Sequence, residues 1–309
     1  MTTASGPDQG RAALLSAFAC YTLWGLMPLL FMGQAAAGLD SLEILAHRAL
    51  WAVPVAGLLV WLARQGGQVR AVLTSPKTLA WLVFSTVLIG LNWGVYVWAT
   101  THGATLEASL GYYINPLLNM VVGLWLFREK IDRWGWIAIG LAAVGVLLQA
   151  LALGRPPWIS LILAFSFATY GVIRKRVPID AQAGLLVECL LLVPFGLAWV
   201  LWLQHTGAGV AFDSPANTLW ALANGPATVL PLALFAWSAR RLPLSTIGFI
   251  QCLAPTLQFV VGVWAGEALT PLRVMSFAFI WGGAGVFAAA ALFRVRAARQ
   301  ALKRAAEPA

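Results

Sequence analysis

The chain has 309 residues, 61% of them hydrophobic and only 10% charged, with a mean hydropathy of +0.81. A water-soluble domain of this length needs far more polar surface, so the composition excludes one and makes lipid the solvent. The net charge of +9 does not indicate nucleic acid, because the basic residues lie in short connections beside apolar runs, where they set orientation across a membrane.

A bilayer core of about 30 Å takes roughly 20 apolar residues per helical span. Ten such runs are predicted, at 12–33, 42–63, 78–101, 105–127, 134–153, 157–173, 182–204, 217–239, 243–265 and 272–293. Glycine (29) and proline (16) are spread through them, which a helical bundle tolerates, and the ten-residue alternation of barrel strands is missing. The expected fold is therefore all-α and integral to the membrane.

In chain order, the first run offers Tyr21 and Trp24 as amphipathic rings, and the second holds His47, placed at the interface, and Arg48. Arg48 needs an acid, with Glu107 as the expected partner and Glu43 as the competitor. The third run carries Asn92 and Tyr96 one turn apart, and Trp93 and Trp98 add wide faces suited to flat or cationic solutes. In the fourth, Ser109, Tyr112, Pro116, Asn119 and Gly123 fall within an arc of about 80°. Tyr170 in the sixth run repeats the amphipathic aromatic pattern.

Glu188 lies inside the seventh run, roughly 9 Å from its end at 1.5 Å per residue. A carboxylate at that depth is either a proton carrier or a structurally paired acid. Glu107 is the second candidate for coupling. The ninth run places Gly248, Gln251, Pro255, Gln258 and Gly262 on one face, matching the stripe of the fourth. Amides are costly against lipid, so both stripes are expected to face protein, as helix packing or as the lining of a midplane cavity. Pro116 and Pro255 each remove a backbone donor and are candidate hinges.

The two stripes are part of a longer repeat. "SLGYYINPLLNMVVGLW" from Ser109 returns as "GFIQCLAPTLQFVVGVW" from Gly248, and Trp98 meets Trp237 at the same offset. This divides the chain into residues 1–153 and 154–309, each with five spans. Five is odd, so the second half enters from the opposite side, giving a 5+5 inverted repeat around a site near the midplane. All basic residues except Arg48, Arg155 and Arg273 fall on one side, which makes both termini cytoplasmic.

Cys20, Cys189 and Cys252 lie inside spans at no metal-ligand spacing, and the three histidines are not adjacent. Neither a metal site nor a cofactor is expected. Phosphate loops, H-E-x-x-H and G-x-S-x-G are missing, so an enzyme is not expected either. No connection is long enough for a nucleotide-binding domain, which leaves solute or ion gradients as the driving force.

The segments "WGLMPLL" from Trp24, "EILAHRALW" from Glu43, "LNWGVYVWAT" from Leu91, "LEASLGYYINPLLNMVVG" from Leu106, "YGVIRK" from Tyr170 and "ARRLPLSTIGFIQCLAPTLQFVVG" from Ala239 resemble the EamA-type drug/metabolite transporters, most closely the RarD branch. The resemblance runs nearly end to end. It implies a ten-helix inner-membrane carrier with a 5+5 inverted repeat and export or uptake of small organic solutes, and it names no substrate. The expected function is a secondary transporter working by alternating access, with proton coupling as an option. The alternative is a non-transporting receptor or scaffold on the same fold. The expected partners are a small-molecule solute and membrane lipid, and no oligomeric state follows from the sequence.

Overall fold

The structure is a computed structural model and describes residues 7–127, 132–239, 241–242, 246–247 and 250–306. All regular structure among these residues is helical. α1 (Pro7–Ala36) and α4 (Pro76–Thr101) begin on prolines, whose missing N–H is harmless in a first turn. α2 (Ser41–Leu62) is started by Asp40, whose carboxylate accepts from the N–H groups of Leu42 and Glu43 at 3.0 and 3.2 Å. Between α2 and α4 lies the short α3 (Gly66–Leu73). α5 (Thr105–Phe127) is followed by α6 (Arg133–Leu153), where Asp132 caps the start through the Gly135 N–H at 2.8 Å and a left-handed Gly154 closes the end. α7 (Trp158–Arg176), α8 (Ala181–Thr206), α9 (Pro215–Ala239), α10 (Leu253–Trp264) and α11 (Pro271–Ala306) complete the described chain.

Seven of the described helices are long and apolar enough to cross a bilayer, namely α1, α2, α4, α6, α8, α9 and the segment Pro271–Ala290 of α11. The protein is thus a multi-pass membrane protein. Two shorter apolar helices, Trp158–Arg174 within α7 and α10, stand where the sixth and ninth runs were expected.

The ninth run departs from expectation. Instead of one helix over 243–265, the chain turns at Gln251 and Cys252 and the helix resumes at Leu253. Pro255 has no N–H to give the Gln251 carbonyl four residues earlier, so the helical ladder lapses there. α3 is a second departure, since 64–77 reads as a bare connection. It is anchored at its start, with Gln65 just before it and Gln68 in its first turn donating to Asp180 Oδ2 at 3.1 and 2.9 Å. α11 also runs on through the basic segment expected as a tail.

Polar contacts sort the connections into two ends. At one end Glu43 meets residues 210 and 211, Asn217 donates to the Ala37 carbonyl, and Glu267 meets the start of α5. At the other, Gln65 and Gln68 meet Asp180. Between the ends, α2 packs on α8 and α9, α1 on α9 and α10, α7 on α4 and α5, and α6 on α11. Gly225 lets α9 approach α2 so closely that a methyl group there would overlap the Trp51 backbone carbonyl.

Candidate functional site

The centre of the bundle collects polar side chains that lipid would not tolerate. Arg48 stands two turns into α2, roughly 10 Å from the helix start, and is only 5% exposed. Its Nε donates to Thr228 Oγ1 on α9 at 3.1 Å. The guanidinium carbon lies 4.3 Å from the ring centroid of Trp93 on α4 and 5.5 Å from that of Phe31 on α1. The ionisable groups facing it are Tyr112, Tyr96 and Cys189. Among the described residues no carboxylate pairs with it.

That overturns the expected Arg48–Glu107 pairing, and the Glu43 alternative with it. Glu107 is drawn to the helix end, where Oε1 accepts from the Ile159 N–H at the start of α7 (3.1 Å) and Oε2 pairs with Arg155 at 2.9 Å. Glu43 Oε1 accepts from the N–H groups of Val210 and Ala211 at 3.1 and 3.0 Å. Glu267 serves the start of α5 in the same way, accepting from Thr105 and Leu106 at 2.5 and 3.0 Å. Backbone donors left over at helix starts and turns compete for these acids, and they win by proximity.

Around Arg48 the other groups interlock. Asn92 donates through Nδ2 to the Leu163 carbonyl at 3.0 Å and to Ser166 Oγ at 2.9 Å, while its Oδ1 accepts from the Tyr112 hydroxyl at 3.1 Å. Tyr96 meets Tyr112 and Phe31 edge to face, with centroids 5.4 and 5.9 Å apart. Gln258 on α10 donates to the Trp24 carbonyl on α1 at 3.2 Å, and its amide lies beside the Tyr96 hydroxyl. Three buried polar atoms have no hydrogen-bond partner here: Arg48 Nη1, Tyr96 Oη and Gln258 Oε1. Leaving such groups unmet costs about 1 to 3 kcal/mol each, and more for a charge.

A second cluster surrounds Glu188 on α8, which is fully buried. Ser85 Oγ on α4 donates to its Oε1 at 2.6 Å and the Tyr170 hydroxyl on α7 to its Oε2 at 3.1 Å. Arg174 Nη1 is 3.9 Å from Oε1. Gly184 makes room for that guanidinium, since a methyl group there would collide with both of its terminal nitrogens. A chain of rings joins the two clusters, with Tyr112 to Phe167 at 6.2 Å and Phe167 to Tyr170 at 6.0 Å.

Thus the structure brings Trp24, Arg48, Asn92, Trp93, Tyr96, Tyr112 and Gln258 together, and Tyr170 with Glu188 beside them. Trp98 stands apart, 47% exposed on the flank and stacked on His102 at 4.8 Å, and Glu107 belongs to the helix end. His47 is buried, accepting from Trp51 Nε1 at 3.2 Å with its ring against Phe212 of the connection between α8 and α9. Gln251 lies in the turn before α10, and Pro255 is buried in the first turn of that helix. Pro116 and Asn119 belong to α5, but their side chains, like Gly123 and Gly248, lie outside the described residues. The sequence reading missed Thr228, Phe31, Phe167, Ser85 and Arg174. Ser85 and Thr228 carried a usable signal, each a hydroxyl within an apolar run; Phe31 and Phe167 had none, and Arg174 reads only as one of the basic residues at a span end.

The model of the EamA-like transporter family matches residues 11–151. Protein RarD of Streptomyces exfoliatus is 39% identical over 301 residues, which covers 97% of this chain and 95% of that one. The chain belongs to the EamA-like transporter family, in its RarD branch. Protein RarD of Escherichia coli K12 is 37% identical, over 93% of this chain and 97% of the relative. An uncharacterized transporter of Pseudomonas aeruginosa is 40% identical, over 90% and 93%. A solved crystal structure shares the fold, with a TM-score of 0.58 at 20% identity over 91% of this chain and 98% of the other.

Proposed function

We propose that the chain is a secondary transporter that carries a small organic solute by alternating access. Its ten spans form two EamA-like repeats, 1–153 and 154–309, inverted with respect to one another and with both termini in the cytoplasm. One observation carries this reading. The central cluster is assembled from both halves, Arg48 meeting Thr228 and Gln258 meeting Trp24. A site on the seam of two bundles changes its exposure when the bundles rock.

The packing supports the repeat. Exchanging the halves turns α1 against α9 into α7 against α4, α1 against α10 into α7 against α5, and α2 against α9 into α8 against α4, and each of these pairs packs. Trp24, Asn92, Trp93, Tyr96, Tyr112 and Gln258 contact the solute in this reading, with Tyr170 and Gln251 at its margins. Pro116 and Pro255 let their helices bend. Glu188 takes up and releases the proton if flux is coupled.

The test is solute flux in proteoliposomes holding the purified full chain, with and without a pH gradient. Gln258→Leu should lower flux at least about tenfold while expression holds, because an unmet polar group costs about 1 to 3 kcal/mol. Normal flux in that variant would move the site elsewhere. A protein that binds solute yet never transports it would be a receptor.

A further inference from the structure

Arg48 is the one group in the central cluster whose formal charge is not balanced by a described partner. Its guanidinium is held by the Nε bond to Thr228 and covered by the Trp93 ring, which leaves the Nη end, with Nη1 unpartnered, to offer N–H donors. A cation buried to this degree in an apolar bundle is costly to keep unpaired, and replacing it with an apolar residue would be the cheaper way to pack the same space. A guanidinium edge of this kind is chemically suited to an anion.

We propose that the solute is an organic anion whose carboxylate docks on Arg48. The inference rests on the reading of this cluster as the solute site, and it adds the chemical class. A guanidinium edge matches a carboxylate with two parallel hydrogen bonds, and stacking on Trp93 fixes the plane from which those bonds are offered. The unpartnered Tyr96 hydroxyl supplies a third donor, held in place by the rings of Phe31 and Tyr112. Gln258 Oε1, also unpartnered and beside Tyr96, is an acceptor for a hydroxyl or N–H elsewhere on the solute. The aromatic walls suit a small aromatic or branched aliphatic body. Chloride or phosphate could neutralise Arg48 but would leave these walls and Gln258 without a task.

The experiment is calorimetric titration of the full chain in lipid nanodiscs, with no gradient, using benzoate, phenylacetate and 4-methylpentanoate against their neutral amides, and chloride and phosphate as inorganic anions. In the wild type at least one carboxylate should bind about tenfold or more tighter than its own amide. In Arg48→Gln that carboxylate should weaken about thirtyfold, with the amide little changed, so that the preference vanishes. Arg48→Lys should bind less well but keep the preference, because the charge remains. A purely structural arginine would alter stability and leave the acid-to-amide ratio where it was.

Equal affinity for acid and amide in the wild type would overturn the proposal, as would an undiminished preference in Arg48→Gln. Binding of the inorganic anions alone, or of no carboxylate in the set, would do the same. Should Arg48→Gln not fold, the ratio in the wild type and in Arg48→Lys decides. Carboxylate binding without flux leaves the anion site standing and ends the carrier reading. Flux of neutral amides without carboxylate preference does the reverse.

Discussion

The Tyr170 hydroxyl donates to Glu188 Oε2 at 3.1 Å, so the last ring of the chain that begins at Phe31 touches the buried acid of α8 directly. A continuous run of packed rings thus joins the Arg48 cluster to Glu188. An acid that alternates between charged and neutral needs partners content with both states, and hydroxyls are, because they can donate to a carboxylate or accept from a carboxylic acid.

Glu188→Gln keeps the shape and the two hydroxyl contacts but cannot take up a proton. If Glu188 couples transport, this variant loses accumulation driven by a pH gradient yet retains counterflow of solute down its own gradient, since binding and helix motion do not require the charge to change. Both modes are measured in the same proteoliposomes. Unaltered pH dependence in a well-expressed variant would exclude Glu188 as the proton carrier.

Glu107 should behave differently. Its Oε1 holds the Ile159 N–H at the start of α7, while its ion pair is with Arg155, whose side chain is 48% exposed and adds little. Glu107→Ala is expected to cost about 1 kcal/mol of stability, the scale of a lost helix cap, and to lower accumulation and counterflow equally. Thermal unfolding in detergent checks the first point. A selective loss of gradient-driven accumulation would hand the coupling role to Glu107.

The contrast between these two acids shows what the sequence could and could not reveal. Depth was legible, because counting residues along a span places Glu188 well inside it and Glu107 at an end. Partnership was not, because the groups that claim Glu43, Glu107 and Glu267 are backbone N–H groups, identical at every position and invisible as letters. Arg48 was assigned an acid for the same reason, by matching side-chain charges. The polar stripe survived translation better: Tyr112 and Gln258 face protein, as the cost of amides in lipid requires. Trp98 failed because an aromatic ring is equally at home on the flank and at the centre, and spacing alone does not choose between them.

Two glycines on adjacent helices should respond very differently to one added methyl group. In Gly184→Ala the methyl meets the far end of Arg174, which can swing away, so the fold is kept but the contact with Glu188 is lost. In Gly225→Ala it meets the Trp51 backbone, which cannot move without parting α2 from α9. The expected cost is about 1 to 3 kcal/mol for Gly225→Ala and less for Gly184→Ala. Gly184→Ala should reproduce the transport phenotype of Arg174→Gln. Equal destabilisation of the two would show that Arg174 has no room to yield.

The orientation of the chain can be read from two single cysteines. Gly67 is exposed at the start of α3, beside the amides that bind Asp180, with open space where a side chain would project. Ala208 is exposed just beyond α8, in the connection whose N–H groups bind Glu43. Between them lie α4, α5, α6, α7 and α8, and if all five cross the membrane the two positions emerge on opposite sides, as they would for any odd number of crossings. α5 and α7 are the helices that length and composition alone do not certify as spans. Cys20 and Cys189 are buried, and Cys252 can be replaced by serine to give a quiet background. With an impermeant maleimide on intact cells, Ala208→Cys should label at once and Gly67→Cys only after the membrane is opened. Inverted vesicles should give the opposite order. Labelling of both from one face would mean an even number of crossings between them, and the inverted repeat could not stand. Opposite faces in the reversed sense would keep the repeat but turn the protein over, against the placement of its basic connections.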